Sequence, residues 1–146
     1  MRLRGTHFQT LPLQCWDERT PVLLMAYYRS LKAWQAAHEF AKAVAAATKR
    51  FPSDERYGLT SQLRRAAVSA PANLAEGQGR FGAREALRHT RIAAASLVEA
   101  DYLLLFALEC GYVGRDDYDR LMQLRKQASR LVHGLAKSLD RAIRRS

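Results

Sequence analysis

From Leu31 onward, apolar side chains return every three or four positions, the spacing that gathers them on one face of an α-helix. In the first such stretch Leu31, Trp34, Ala37, His38, Ala41, Val44, Ala45 and Thr48 share a stripe, which Phe51-Pro52 ends. Ser53-Asp54-Glu55 then offers a cap and two carboxylates to the positive end of a second helix, whose stripe is Leu59, Leu63, Ala66, Ala67, Ala70 and Leu74. Pro71 lies inside it and removes the bond to the carbonyl of Ala67, which predicts a kink rather than a break. Gly77 and Gly79 are expected to end this helix. A third opens near Ala83 and carries Leu87, Ala94, Leu97, Val98, Leu104, Leu105 and Leu108 up to Gly111, where a left-handed cap suits glycine. Asp116 and Asp117 begin the last, with a stripe of Leu121, Leu124, Ala128, Leu131, Val132, Leu135, Leu139 and Ile143.

Four helices of roughly 20 to 30 residues with short turns between them predict an all-α fold, an antiparallel up-down-up-down four-helix bundle over residues 29–146. Composition agrees: the chain holds 24 Ala and 20 Leu but only 2 Ile and 6 Val, which leaves little from which to build a sheet. The stretch Leu103 to Leu108 is apolar on nearly every side, more than one bundle core covers. Either a subunit interface of a homo-oligomer takes up the remainder, or this helix runs through the centre of a compact monomer.

Residues 1–28 lack helical periodicity and contain Pro12 and Pro21. They are expected to form a flexible leader or to result from an upstream start, since Met25 stands just before the first clean pattern. Gln14, Asp17, Glu18 and Arg19 interrupt the apolar run a signal peptide needs. The longest strongly apolar run elsewhere, Tyr102 to Leu108, falls far short of the about 20 residues of a membrane span. Cys15 and Cys110 have no companions at metal-ligand spacing, so a reducing, cytoplasmic setting is expected, with no cofactor and no membrane.

Charge adds a direction to this picture. The formal net charge is +10, and the excess gathers on the first and last helices. On a helical wheel Lys126, Arg130, Lys137, Arg141 and Arg144 fall within an arc of about 60° opposite the leucine stripe and span about 27 Å. No acidic residue lies between Asp119 and Asp140 to offset this ridge, and like charges at such spacing repel. A polyanion would compensate, because cations that neutralise phosphates release counterions and bind without reading sequence. Arg64 and Arg65 on the second helix are expected to extend the footprint. The alternatives are a solvated face that keeps the protein soluble and, more weakly, a membrane surface.

Enzyme signatures fare poorly. Gly77-Gln78-Gly79-Arg80-Phe81-Gly82 matches GxGxxG, yet that fingerprint works only where a strand feeds the glycine turn, and SAPANLAEG has no strand character. None of His7, His38, His89 and His133 stands three residues after a Glu, as a dinuclear bundle site requires. Glu85 and His89 read as a surface contact, and His38 as a satisfied core histidine. Asp101 falls on the packed side of the third helix and Glu76 and Asn73 lie on the kinked end of the second, where an interhelical or intersubunit network is the favoured role over an acid-base pair. The aromatics Tyr27, Tyr28 and Phe81 match no base-stacking platform and are assigned to packing.

The string FPSDERYGLTSQLRRAAVSAPANLAEGQGR, preceded by LKAWQAAHEFAKAV and followed by HTRIAAASLVEADYLLLFALECGY, resembles the four-helix-bundle family of 23S ribosomal RNA intervening-sequence proteins. That family is related to the accessory variability proteins of diversity-generating retroelements. The resemblance covers about residues 29 to 140. It implies a bundle that assembles into a ring, typically a homopentamer, with a basic surface and no catalysis. In the retroelement relatives the ring is similar to a cofactor that binds nucleic acid and a reverse transcriptase.

The function expected is therefore a non-enzymatic oligomeric bundle that binds RNA or DNA through Lys126, Arg130, Lys137, Arg141 and Arg144, with Arg64 and Arg65. A second reading is an interaction scaffold that docks an acidic or reverse-transcriptase-like protein partner. A third is a bundle hydrolase built on Glu76 or Asp101.

Overall fold

The computed structural model describes residues 27–80 and 82–146, so the leader up to residue 26 and the turn residue Phe81 lie outside the described residues. Four α-helices account for most of the rest: α1 (Lys32–Ala47), α2 (Leu59–Gly79), α3 (Ala83–Glu109) and α4 (Arg115–Arg145). There is no strand among the described residues. Each helix packs on the two next to it around the bundle, α1 on α2, α2 on α3, α3 on α4 and α4 on α1. At the centre Phe40, Val44, Leu63, Leu74, Leu97, Leu104, Leu121 and Val132 are fully enclosed. Burial of side chains of this size, at about 1.5–3 kcal/mol each, is the term that offsets the entropy of ordering the chain. A smaller cluster of Ala86, Leu87 and Leu139 joins the start of α3 to the end of α4.

Local chemistry explains the helix boundaries. Thr48 closes α1 by donating its hydroxyl to the carbonyl of Val44 at 2.8 Å, after which a 3₁₀ turn (Thr48–Arg50) leads to Phe51 and Pro52. Ser53 does not cap the second helix as expected; Ser53–Glu55 forms its own 3₁₀ turn, and Glu55 Oε2 accepts the Leu59 amide at 2.9 Å. A carboxylate there meets both an unpaired amide and the positive helix end. Helix α2 runs through the buried Pro71 and on to Gly79, so Gly77 is an internal helical residue rather than a terminator. Gly111 takes φ +75°, as predicted, and the Gly111 and Tyr112 amides reach back to the carbonyls of Leu108 and Ala107, which terminates α3 in a Schellman motif.

Several side chains face elsewhere than the stripes implied. In α1 the buried set is Ala33, Ala37, Phe40, Ala41, Val44 and Ala47, while Ala45 is exposed. His38 is only half-buried and stacks flat on Trp34, with ring centres 4.7 Å apart, so it is not a core histidine. Tyr27 and Tyr28, placed in the leader on sequence grounds, occupy a 3₁₀ turn, and the Tyr28 ring meets Trp34 edge-on at 5.0 Å. Helix α3 is not enclosed on all sides. Val98 is 61% exposed, Tyr102 62% and Leu105 and Phe106 each 42%, which removes the reading of a central helix in a compact monomer.

The Tyr112 hydroxyl links the α3–α4 turn to the entry of α2 by donating to Glu55 Oε1 at 3.2 Å. This hydrogen bond raises the phenol pKa above its ordinary 10.0. A group whose pKa is raised by folding stabilises fully below its unfolded pKa and loses that contribution as pH rises through the folded one. Urea unfolding should thus show stability falling as pH rises above about 10, and Tyr112→Phe should make that fall shallower.

Candidate nucleic-acid interface

Lys126, Arg130, Lys137, Arg141 and Arg144 all lie on the exposed side of α4, away from the buried Leu121, Ala128, Val132 and Leu139. The placement follows from the 3.6-residue period: burying that stripe turns positions half a turn away to solvent. Arg144 is not free of partners, because its Nε donates to Asp140 at 3.0 Å. Lys126, Arg130, Lys137 and Arg141 form no ion pair among the described residues. No carboxylate among the described residues offsets their charge.

Arg64 and Arg65 stand apart from this ridge. They belong to α2, which packs on α1 and α3, whereas α4 is seated on α1 and α3 from the other side. Arg64 turns toward the end of α1, where its Nε donates to Thr48 Oγ1 at 2.7 Å. The side chains that do adjoin the ridge come from α3. Arg84, Arg88 and Arg91 line a groove of about 720 Å³ whose opposite wall is Asp140 and Ile143 of α4. All three are exposed; Arg88 lies 3.6 Å from Glu85, and Arg84 and Arg91 have no ion pair among the described residues. The net charge of α3 conceals them, since Glu85, Glu99, Asp101 and Glu109 offset its arginines. Their four- and three-residue spacing, which sets all three on one helical face, was the available signal.

The residues weighed for catalysis have structural partners. Asp101 Oδ2 lies 3.2 Å from Arg125, a side chain only 15% exposed, and so joins α3 to α4 as an interhelical ion pair. Glu76 accepts from Arg80 one turn later, and that bond holds its carboxyl below the usual carboxylate range. Asn73 bridges Ser69 and His89, and Ser69 meets Ser96 at 2.8 Å, a polar seam between α2 and α3. His89 is buried, 3.9 Å from Glu76, not a surface contact of Glu85. Among the glycines of the GxGxxG string, Gly77 packs on α3, Gly79 is the last residue of α2, and Gly82 has φ +101° ahead of α3. A strand feeds none of them. No cluster of three or more His, Cys, Asp or Glu side chains suited to a metal occurs among the described residues. No helix among them is long and apolar enough to cross a membrane.

Comparison with known proteins gives the bundle a lineage. A crystal structure of a protein of unknown function from the S23 ribosomal protein family of Bacteroides thetaiotaomicron superposes with a TM-score of 0.66. It is 20% identical in sequence and covers 72% of this chain and 98% of its own, a likeness of fold. No curated protein matches the chain. A family model described as 23S rRNA-intervening sequence protein matches residues 29–134, most of the sequence, and the chain belongs to that family.

Proposed function

We propose that this protein is a non-enzymatic, cytoplasmic nucleic-acid-binding bundle that holds RNA or DNA by its phosphates. The observation that carries this reading is the row of exposed cations on α4, four of them without an ion pair among the described residues, beside the three arginines of α3. Like charges held in register on a rigid helix favour a ligand whose own charges repeat, and a polynucleotide backbone is such a ligand. The groove floor is aliphatic, so affinity comes from phosphates rather than from stacked bases.

In this reading the helices alternate up-down-up-down in antiparallel order, α2 bends at Pro71, and copies of the chain assemble into a ring, as a homopentamer. The exposed Val98, Tyr102 and Phe106 of α3 support the assembly, because apolar side chains on one outer helical face gain by burial against a second copy. A ring repeats the basic face in each subunit, and multiplied weak contacts raise avidity without new chemistry.

The test is charge reversal at Arg130 and Lys137, both exposed and remote from the core. Arg130→Glu/Lys137→Glu should weaken binding to mixed-sequence RNA and to duplex DNA roughly ten- to hundredfold near physiological salt, by a similar factor for every sequence. Fluorescence anisotropy reads the affinity. Unchanged affinity in the double variant would refute the assignment of this surface.

A further inference from the structure

A pocket of about 300 Å³ sits where α1 gives way to α2, apart from the ridge of α4. Thr48 and Lys49 line it from the end of α1, Phe51 to Ser53 from the corner, and Arg56, Thr60 and Arg64 from the entry and first turns of α2. Three of these side chains are cations and none is a carboxylate. Lys49, Arg56 and Arg64 form no ion pair among the described residues, although Asp54 and Glu55 are close in sequence. Glu55 is engaged elsewhere, accepting from Leu59 and Tyr112.

The hydroxyls at this pocket supply an independent sign of a ligand. Thr48 Oγ1 is committed, donating to Val44 and accepting from Arg64. Thr60 is 6% exposed, and its Oγ1 is buried without a hydrogen-bond partner. A buried hydroxyl left unpaired costs stability, and such groups in folded proteins normally find a partner. The positive end of α2 is met by the Glu55 carboxylate, so the field at the pocket comes from its three cations, while the Thr48 hydroxyl covers a terminal carbonyl of α1 that would oppose them.

We propose that this pocket binds one phosphate group per chain, with Lys49, Arg56 and Arg64 supplying the positive charge and Thr60 Oγ1 donating its unpartnered hydrogen. The absence of carboxylates from the lining makes a cation the wrong ligand, and three lining cations more than neutralise the two negative charges of a phosphate monoester. The group comes either from free phosphate or from the 5′ end of a nucleic acid. The proposal stands on the pocket alone and does not depend on the ridge.

Isothermal titration of the full chain with inorganic phosphate, in chloride buffer of low ionic strength, tests it. Saturable binding at one site per chain is expected, weakened at least about fivefold in Lys49→Gln/Arg56→Gln and in Thr60→Val. Thr60→Val should melt no lower than the parent, because it deletes a hydroxyl with no partner to lose. Lys32→Gln, at an exposed position at the start of α1 outside both surfaces, should bind phosphate as the parent does. Tighter binding of a 5′-phosphorylated oligonucleotide than of its 5′-hydroxyl twin would identify a nucleic-acid end as the source, and equal binding would identify free phosphate. No saturable uptake by the parent, or parental affinity in either pocket variant, would overturn the proposal.

Discussion

Phe40→Ala is expected to destabilise the bundle by about 3–5 kcal/mol, the largest loss from any single truncation in α1. Phe40 is fully buried, and its neighbours on the inner face of α1 are mostly alanines: Ala33, Ala37, Ala41 and Ala47. Small residues let α1 approach α2 and α4 closely, so the one ring among them fills the space between three helices. Alanines have no spare length with which to close the cavity left behind, which places the loss in the upper part of the usual range. Urea unfolding should show the midpoint falling with little change in slope, since the surface exposed on unfolding barely alters. A loss below about 1 kcal/mol would mean that the ring does not fill that space.

Gly77 and Gly134 form a matched pair with opposite expected signs. Both lie inside long helices, where replacing glycine by alanine ordinarily stabilises by about 0.5–1 kcal/mol. At Gly134 an added Cβ meets nothing within 4 Å, so Gly134→Ala should deliver that gain. At Gly77 the same carbon would stand 2.9 Å from the Cβ of His89 and 3.4 Å from the Ala86 carbonyl oxygen. Neither neighbour is the free end of a flexible chain, so α2 and α3 must separate. The expected result for Gly77→Ala is a loss of about 1–3 kcal/mol, and for Gly77→Val a larger one. Thermal melts of the four proteins side by side check this, and a stabilised Gly77→Ala would show that the two helices are not in close contact there.

The existence of the four helices was legible because apolar periodicity over 16 to 31 residues is a strong signal and the end of α3 carries its own glycine code. Phase was less legible. An alanine-rich helix such as α1 has apolar residues on more than one face, so a stripe through Ala45 fits the pattern nearly as well as the true one through Phe40. In α3, Val98 and Leu105 belong to a second apolar face, and one chain by itself does not say which of two such faces turns inward. Gly77 reads locally as a helix terminator, and only the approach of His89 reveals it as a packing residue.

The candidate site divides in the same way. The α4 ridge was visible because one helix carries all of it and its leucine stripe fixes the opposite face. The arginines of α3 depend on which helix is adjacent, a property of the tertiary arrangement. Arg64 was singled out for its charge, yet its place beside an unpartnered hydroxyl joins residues from two helices and a corner, which no spacing rule expresses.

The central claim, that the exposed face of α4 holds nucleic acid by its phosphates, is tested most directly by the salt dependence of binding to a mixed-sequence duplex. With at least four cations engaged, log K should fall linearly against log salt concentration with a slope of about −3.6 or steeper, since each neutralised phosphate contributes about −0.9. Arg130→Glu/Lys137→Glu should flatten that slope by about 2. Binding whose affinity does not change with salt, or a slope that the double variant leaves intact, would contradict the account and place the contacts elsewhere on the molecule.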